Sequence, residues 1–156
     1  MRIAIGSDHA GFALKERMTR ELIGLGHEVV DLGTRSAEIP VDFPDFCIPV
    51  AEQVSRGEVD RGVVLGGSGI GEAIAANKVF GIRASMVTSD ETARLTRLHN
   101  DSNVLAVGGR TNPDPEDPLR WLRIWLATGF EGGRHLARLE KILAYERAVR
   151  AASSLR

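Results

Sequence analysis

Short apolar runs alternate with longer amphipathic stretches along the whole chain. Ile3-Ala4-Ile5-Gly6 reads as a buried strand, ended by Ser7-Asp8-His9-Ala10-Gly11. Phe12, Leu14, Met18, Leu22 and Ile23 then recur at helical spacing, and Gly24 and Gly26 stop that helix. Glu28 to Leu32 predicts a second strand, Gly33 to Pro44 a loop, and about Asp45 to Arg56 a helix closed by Gly57. A third strand, about Gly62 to Leu65, runs into a glycine-rich turn and a short helix carrying Ala73, Ile74, Ala75 and Ala76. Ile82 to Val87 predicts the fourth strand, and a helix follows from about Asp90 to Leu98. Val104 to Val107 is the fifth strand, with Gly108-Gly109-Arg110 as its exit. Pro113, Pro115 and Pro118 mark the next loop, before a helix with Leu119, Leu122, Ile124, Trp125 and Leu126. A last helix follows Gly132-Gly133, from about Arg134 to Ala152.

Apolar strands alternating with helices predict an α/β fold, a doubly wound three-layer sandwich on a five-stranded parallel sheet. The expected strand order is 2-1-3-4-5. In such sheets ligands bind beyond the carboxyl ends of the strands, where the order reverses. That places Asp8 and His9, after strand one, across a crevice from the glycine turn after strand three. No repeat, low-complexity tract or long linker divides the chain, so residues 1–156 are expected to form one domain.

Composition narrows the function classes. A chain of 156 residues with 43% hydrophobic and 26% charged side chains can bury an ordinary soluble core. A net charge of −1 argues against bulk attraction to nucleic acid or to an anionic membrane. No apolar run reaches membrane-spanning length. The chain opens directly on a strand, so no signal peptide is expected and a cytoplasmic location follows by default. The single cysteine, Cys47, rules out an internal disulfide framework and sits in an apolar segment, as a packing residue would.

The chemistry concentrates in Gly66-Gly67-Ser68-Gly69-Ile70-Gly71-Glu72. Glycines there let bare backbone N–H groups approach a ligand, and the following helix start favours negative charge. The spacing fits neither G-x-G-x-x-G nor a P-loop, so a phosphate or oxyanion is supported and a nucleotide fingerprint is not. Glu72 is the first charged side chain after the loop. Its carboxylate either caps the helix or serves as a base beside an oxyanion site; amides nearby are expected to keep it ionised. Asp8-His9 and His99-Asn100 each admit a capping role as well as a chemical one. Four histidines without close ligand spacing predict no metal centre. Arg134 and Arg138, four residues apart, share a helix face at a helix start, where cations are disfavoured unless an anion binds.

Taken together, these residues resemble the ribose-5-phosphate isomerase B family of sugar-phosphate isomerases. The matching pieces are Ser7 to Gly11, Asp42-Phe43-Pro44, Gly66 to Gly71, Ala75-Ala76-Asn77-Lys78 and Gly81-Ile82-Arg83-Ala84. His99-Asn100, Gly108-Gly109-Arg110 and Gly132-Gly133-Arg134-His135 complete them in the family's order. The resemblance implies a Rossmann-like fold, no metal or other cofactor, and aldose–ketose isomerisation through a cis-enediolate. It implies a homodimer, or a tetramer built from it, with sites shared between subunits and the last helix on the partner. By position, Asp8 and His99 would assist ring opening, and Gly67, Ser68, Gly69, Ile70 and Gly71 would hold the enediolate oxygen. His9, Arg110, Arg134 and Arg138 would bind phosphate, and Asn100 the sugar hydroxyls. Many members carry a cysteine base at the position of Gly66; this chain resembles the branch, familiar from actinobacteria, with glutamate at the position of Glu72. Phe43 stands where many relatives have tyrosine, which bears on which sugar fits.

The implied activity is interconversion of ribose 5-phosphate and ribulose 5-phosphate. A four-carbon erythrose or erythrulose 4-phosphate, or a six-carbon allose or galactose 6-phosphate, is the alternative substrate. A phosphosugar-binding module without turnover is the non-enzymatic alternative, against which Glu72, Asp8 and His99 together argue, because a sensor needs no base.

Overall fold

The structure is a computed structural model that describes residues 1–112 and 114–153. Pro113, expected in the loop before the fifth helix, lies outside the described residues. The elements run β1 (Arg2–Ser7), α1 (Phe12–Gly24), β2 (Glu28–Asp31), α2 (Pro44–Ser55), β3 (Arg61–Gly66) and α3 (Ile70–Ala76). They continue β4 (Ala84–Met86), α4 (Asp90–Asn100), β5 (Val104–Gly108), α5 (Asp117–Ala127) and α6 (Arg134–Ser153). All pairings in the five-stranded sheet are parallel.

Alternation along the strands builds two cores. Ile3, Ile5, Val63, Leu65, Leu105 and Val107 face α1, α4 and α5, where Met18, Leu22, Leu122 and Trp125 are fully buried. Ala4, Val64, Val104 and Ala106 face α2 and α3, packing on Cys47, Val50, Ala73 and Ala76. The smaller strand residues on this second face let α3 come close to the sheet. One buried charge braces the first layer. The Lys15 ammonium, 1% exposed, meets Asp31 at 2.5 Å and Glu16 at 3.0 Å, and Asp31 accepts from the Gly33 N–H at 2.9 Å.

The expected doubly wound fold is present, but its last two strands exchange places: the order is 2-1-3-5-4. The physical reason is burial. Each β5 residue is buried, as suits a strand hydrogen-bonded on both sides. β4 has three residues, all half-buried, and polar Arg83 and Ser85 fall within or beside it, which suits an edge. The change leaves β1 and β3 adjacent, with Asp8 beside the glycine turn: the Asp8 N–H donates to the Leu65 carbonyl at 3.2 Å.

α6 barely rests on the rest of the chain. Its twenty residues span about 30 Å, yet Leu136, Ile142, Tyr145 and Val149 are 48–72% exposed. It meets the rest of the chain at its start against α4, at Glu146, which accepts from the Gly81 N–H at 3.1 Å, and at Arg150, which lies over Phe80, among other contacts. These apolar positions face outward rather than into the chain's own layers.

Hydrogen exchange distinguishes the observed strand order from the expected one. Amides of Val104–Gly108 should exchange at least about tenfold more slowly than those of Ala84–Met86, since only the former lie inside the sheet. Slower exchange in β4 would favour the order 2-1-3-4-5.

Candidate functional site

The expected site residues fall into two groups, at opposite edges of the sheet. In a parallel sheet each crossover helix runs back against the strands, so its carboxyl end reaches the edge where the next strand begins. Asp8, the glycine turn and Arg110 follow β1, β3 and β5 and share the carboxyl edge. His99 and Asn100 end α4, before β5 begins, and so lie at the amino edge. The Leu98 carbonyl accepts from the Glu131 N–H at 3.0 Å, which brings the start of α6 to that same edge. Arg134 and Arg138 therefore join His99. Five-residue strands separate the two groups by roughly 17 Å.

At the carboxyl edge, Gly109 N–H donates to the Gly66 carbonyl at 2.7 Å and Arg110 N–H to the Gly67 carbonyl at 3.1 Å. The exit of β5 is thereby laced to the glycine turn, and the Arg110 side chain is exposed beside it. Gly69 has a φ of 83°, a left-handed conformation that opens α3. Ser68 Oγ accepts from the Ile70 N–H at 3.2 Å, and Ile70 itself is 53% exposed. The Phe43 ring occupies the space a side chain at Gly71 would need, so it roofs the turn. Asp8 is buried, and its Oδ1 accepts from the Gly11 N–H at 3.0 Å. This bond braces the turn before α1 and does not cap the helix, whose N-cap is Gly11 without a side-chain cap bond, and the second carboxylate oxygen is left for other partners. His9 Nδ1 lies 3.3 Å from both the carbonyl oxygen and the N–H nitrogen of Val41, pinning the long loop after β2.

Glu72 is 3% exposed. Its carboxylate folds back over the turn: a Cβ built on Gly66 would stand 1.5 Å from Glu72 Oε1. No side chain can occupy position 66 while this carboxylate stays where it is. Glu72 Oε2 is buried without a hydrogen-bond partner. Burial therefore raises the Glu72 carboxyl above its ordinary range, and the nearby Asp8 charge adds to this. The amides of Glu72 and Gly69 oppose the shift without reversing it. Desolvation of a carboxylate that lacks a partner thus outweighs the amides expected to favour its ionised form. Cys47, fully buried beneath, has its thiol pushed up by burial and by Glu72 and Asp8, which keeps it protonated and inert.

At the amino edge, Asp101 closes α4 with a φ of 44° and its carboxylate meets Arg97 at 2.8 Å and Arg83 at 3.1 Å. Arg83 also donates to the Asn100 carbonyl at 2.9 Å. This clamp fixes the turn that carries His99 and Asn100, and it accounts for the Gly81-Ile82-Arg83-Ala84 segment. The His99 ring stacks on His135, centroids 4.2 Å apart and planes 9° from parallel. Arg134 and Arg138 are exposed on either side. The fold thus gathers His99, Glu131 and His135 with ligand atoms within 4.8 Å, which histidine spacing alone did not reveal. Their geometry does not suit a cation: stacked rings direct their lone pairs side by side, and two guanidiniums crowd the group. His135 was not among the expected site residues, although it stands between Arg134 and Arg138 and lies three residues before Arg138 on its helix.

The family profile described as Ribose/Galactose Isomerase matches residues 3–142. This chain belongs to that family. It is 45% identical over 145 residues to ribose-5-phosphate isomerase B of Escherichia coli strain K12, covering 93% of this chain and 96% of the relative. The Clostridium thermocellum ribose-5-phosphate isomerase B structure superposes with a TM-score of 0.92 at 47% identity, covering 96% of this chain and 99% of that one. A Mycoplasma genitalium ribose-5-phosphate isomerase B with bound ribulose 5-phosphate gives 0.89 at 38% identity, over 94% and 96% of the two chains. The family is one of enzymes, and the five-stranded α/β fold is theirs.

The electrostatics of Glu72 yield a stability prediction. Its raised pKa means that the folded state prefers the protonated carboxyl, so stability falls as pH rises through the unfolded and then the folded pKa. Glu72→Gln imitates the protonated form. It should raise the melting temperature at pH 7, and the gain should shrink to nothing once the pH falls below about 4. An unchanged or lower melting temperature at pH 7 contradicts the burial of an unpartnered charge.

Proposed function

We propose that this protein interconverts ribose 5-phosphate and ribulose 5-phosphate through a cis-enediolate, with Glu72 as the base. The observation that carries the reading is the Glu72 carboxylate, buried over Gly66 with an unpartnered oxygen beside the glycine turn. A desolvated carboxylate with a raised pKa is a stronger base than one in water, and the amides beside it suit a developing oxyanion. The relatives named above, one with ribulose 5-phosphate bound, support the substrate class.

In the proposed mechanism, Asp8 and His99 assist opening of the furanose ring. Glu72 takes the proton from C2, and the C2–H electrons form the C1–C2 double bond while charge moves onto O1. Amides of the turn from Gly67 to Gly71 hold that oxygen, with Ser68 near the path of the proton. The O2 hydroxyl proton passes to O1, Glu72 returns its proton to C1, and a carbonyl is left at C2. One carboxylate serves both transfers because the two carbons adjoin on one face of a planar intermediate. His9, Arg110, Arg134 and Arg138 bind the phosphate, Asn100 the sugar hydroxyls, and Phe43 borders the sugar.

A single chain holds these groups at two edges, so the site is completed by a second copy. The proposed assembly is a homodimer in which α6 of one subunit carries Arg134 and Arg138 to the Glu72 of the other. The exposed apolar residues of α6, with Ile70 and Ile74 on α3 more than half exposed, are the surface such a partner would cover.

Glu72→Gln should lower turnover of ribose 5-phosphate by about 10²–10⁴-fold while phosphosugar still binds. Turnover within a few-fold of wild type removes Glu72 as the base. A panel of four-, five- and six-carbon sugar phosphates should show the pentose preferred.

The shared site has its own test. Neither Glu72→Gln nor Arg138→Ala subunits alone should be appreciably active. A mixed dimer carries both defects in one site and neither in the other, so purified mixed dimers should recover about half of wild-type activity. Mixed dimers as inactive as their parents place base and clamp in one chain.

A further inference from the structure

His135 is 3% exposed, although it begins a helix that is otherwise largely in solvent. Four polar or charged side chains meet it. His99, from α4, stacks on its face. Arg134 Nε lies 3.4 Å from its Nε2, and Arg138 approaches its Nδ1 at 3.3 Å, both from α6 itself. Glu131, from the turn before α6, lies 3.8 Å from Nε2, and the same carboxylate oxygen is 3.8 Å from His99 Nε2.

The stereochemistry of the ring limits what this cluster can do. A neutral imidazole offers one N–H and one lone pair. Guanidinium N–H groups approach both ring nitrogens, and only one of them can be accepted at a time. The other faces a ring N–H and has no acceptor there, so the pair of arginines is left in want of an anion. Burial, with His99, Arg134 and Arg138 adding to it and Glu131 opposing, lowers the pKa of His135 and favours the neutral ring with its one lone pair. Each guanidinium turns one edge toward the ring and keeps the rest of its five donors for a ligand.

We propose that His135 is a positioning residue for the bound sugar phosphate: its ring edge sets Arg134 and Arg138 for the phosphate, and its ring face fixes the plane of His99. This rests on the reading in which those arginines clamp phosphate and His99 acts on the sugar ring. The two roles use different parts of one side chain, so they can be separated.

His135→Phe keeps the stacking face and removes both nitrogens. His135→Asn keeps an acceptor near Nδ1 and removes the face. Inhibition by inorganic phosphate reads the clamp, and kcat on ribose 5-phosphate reads the placement of His99. His135→Phe should weaken phosphate inhibition about tenfold while kcat stays within about threefold of wild type. His135→Asn should do the reverse, lowering kcat by about tenfold or more with phosphate inhibition within about threefold. The proposal is overturned if both variants lose the two properties in equal proportion, or if either variant keeps both.

A measurement on the unmodified protein covers failure of the variants to fold. Saturating phosphate should shift the ring nitrogen resonances of His135, as an anion gathered on the guanidiniums that touch those nitrogens changes their polarisation; unmoved resonances overturn the proposal. Arg138→Ala separates this inference from the reading beneath it. If that variant binds phosphate as wild type does, the clamp itself is wrong and the role of His135 falls with it. If Arg138→Ala weakens phosphate and the His135 variants still do not separate, the positioning role alone fails.

Discussion

Parallel strands joined by helices obey a geometric constraint that governs this molecule. Every strand exit lies at one edge of the sheet, and every crossover helix delivers its carboxyl end to the other. Asp8, the glycine turn and Arg110 are strand exits; His99 and Asn100 end a helix. No rearrangement of loops within one chain can bring the two sets together. α6 begins at the amino edge and carries exposed apolar residues along its twenty-residue length.

At the carboxyl edge a different balance operates. Glu72 could have been solvated or given a full set of donors, and either would have left it an ordinary carboxylate. Instead it is enclosed, with one oxygen partnerless and a second carboxylate, Asp8, close enough to raise its pKa further. Folding works against this arrangement whenever Glu72 is ionised, and the turn holds it only because strands β1, β3 and β5 on which it stands are fully buried along most of their length. The stability of the sheet in that sense offsets the cost of an enclosed carboxylate.

Much of this was legible in the residues. The apolar runs Ile3–Ile5, Val63–Leu65 and Val104–Val107 marked the central strands, and the glycines at 66–71 marked the turn, because both signals are local. The strand order was less legible, although the contrast between Val104-Leu105-Ala106-Val107 and Ile82-Arg83-Ala84-Ser85-Met86 already separates an inner strand from an edge. The raised pKa of Glu72 could not be read at all, since it depends on the enclosure of the carboxylate by residues distant in sequence. His135 was hidden for a similar reason: its partners lie on α4, on the turn at Glu131 and on its own helix, and only packing unites them.

The fit of Glu72 over Gly66 ties two positions into one inherited unit. A side chain gained at 66 first would evict the Glu72 carboxylate, and loss of the carboxylate first would leave the space over Gly66 unfilled. Neither position can therefore drift alone, and passage to a bulkier residue at 66 asks for a coordinated change at 72.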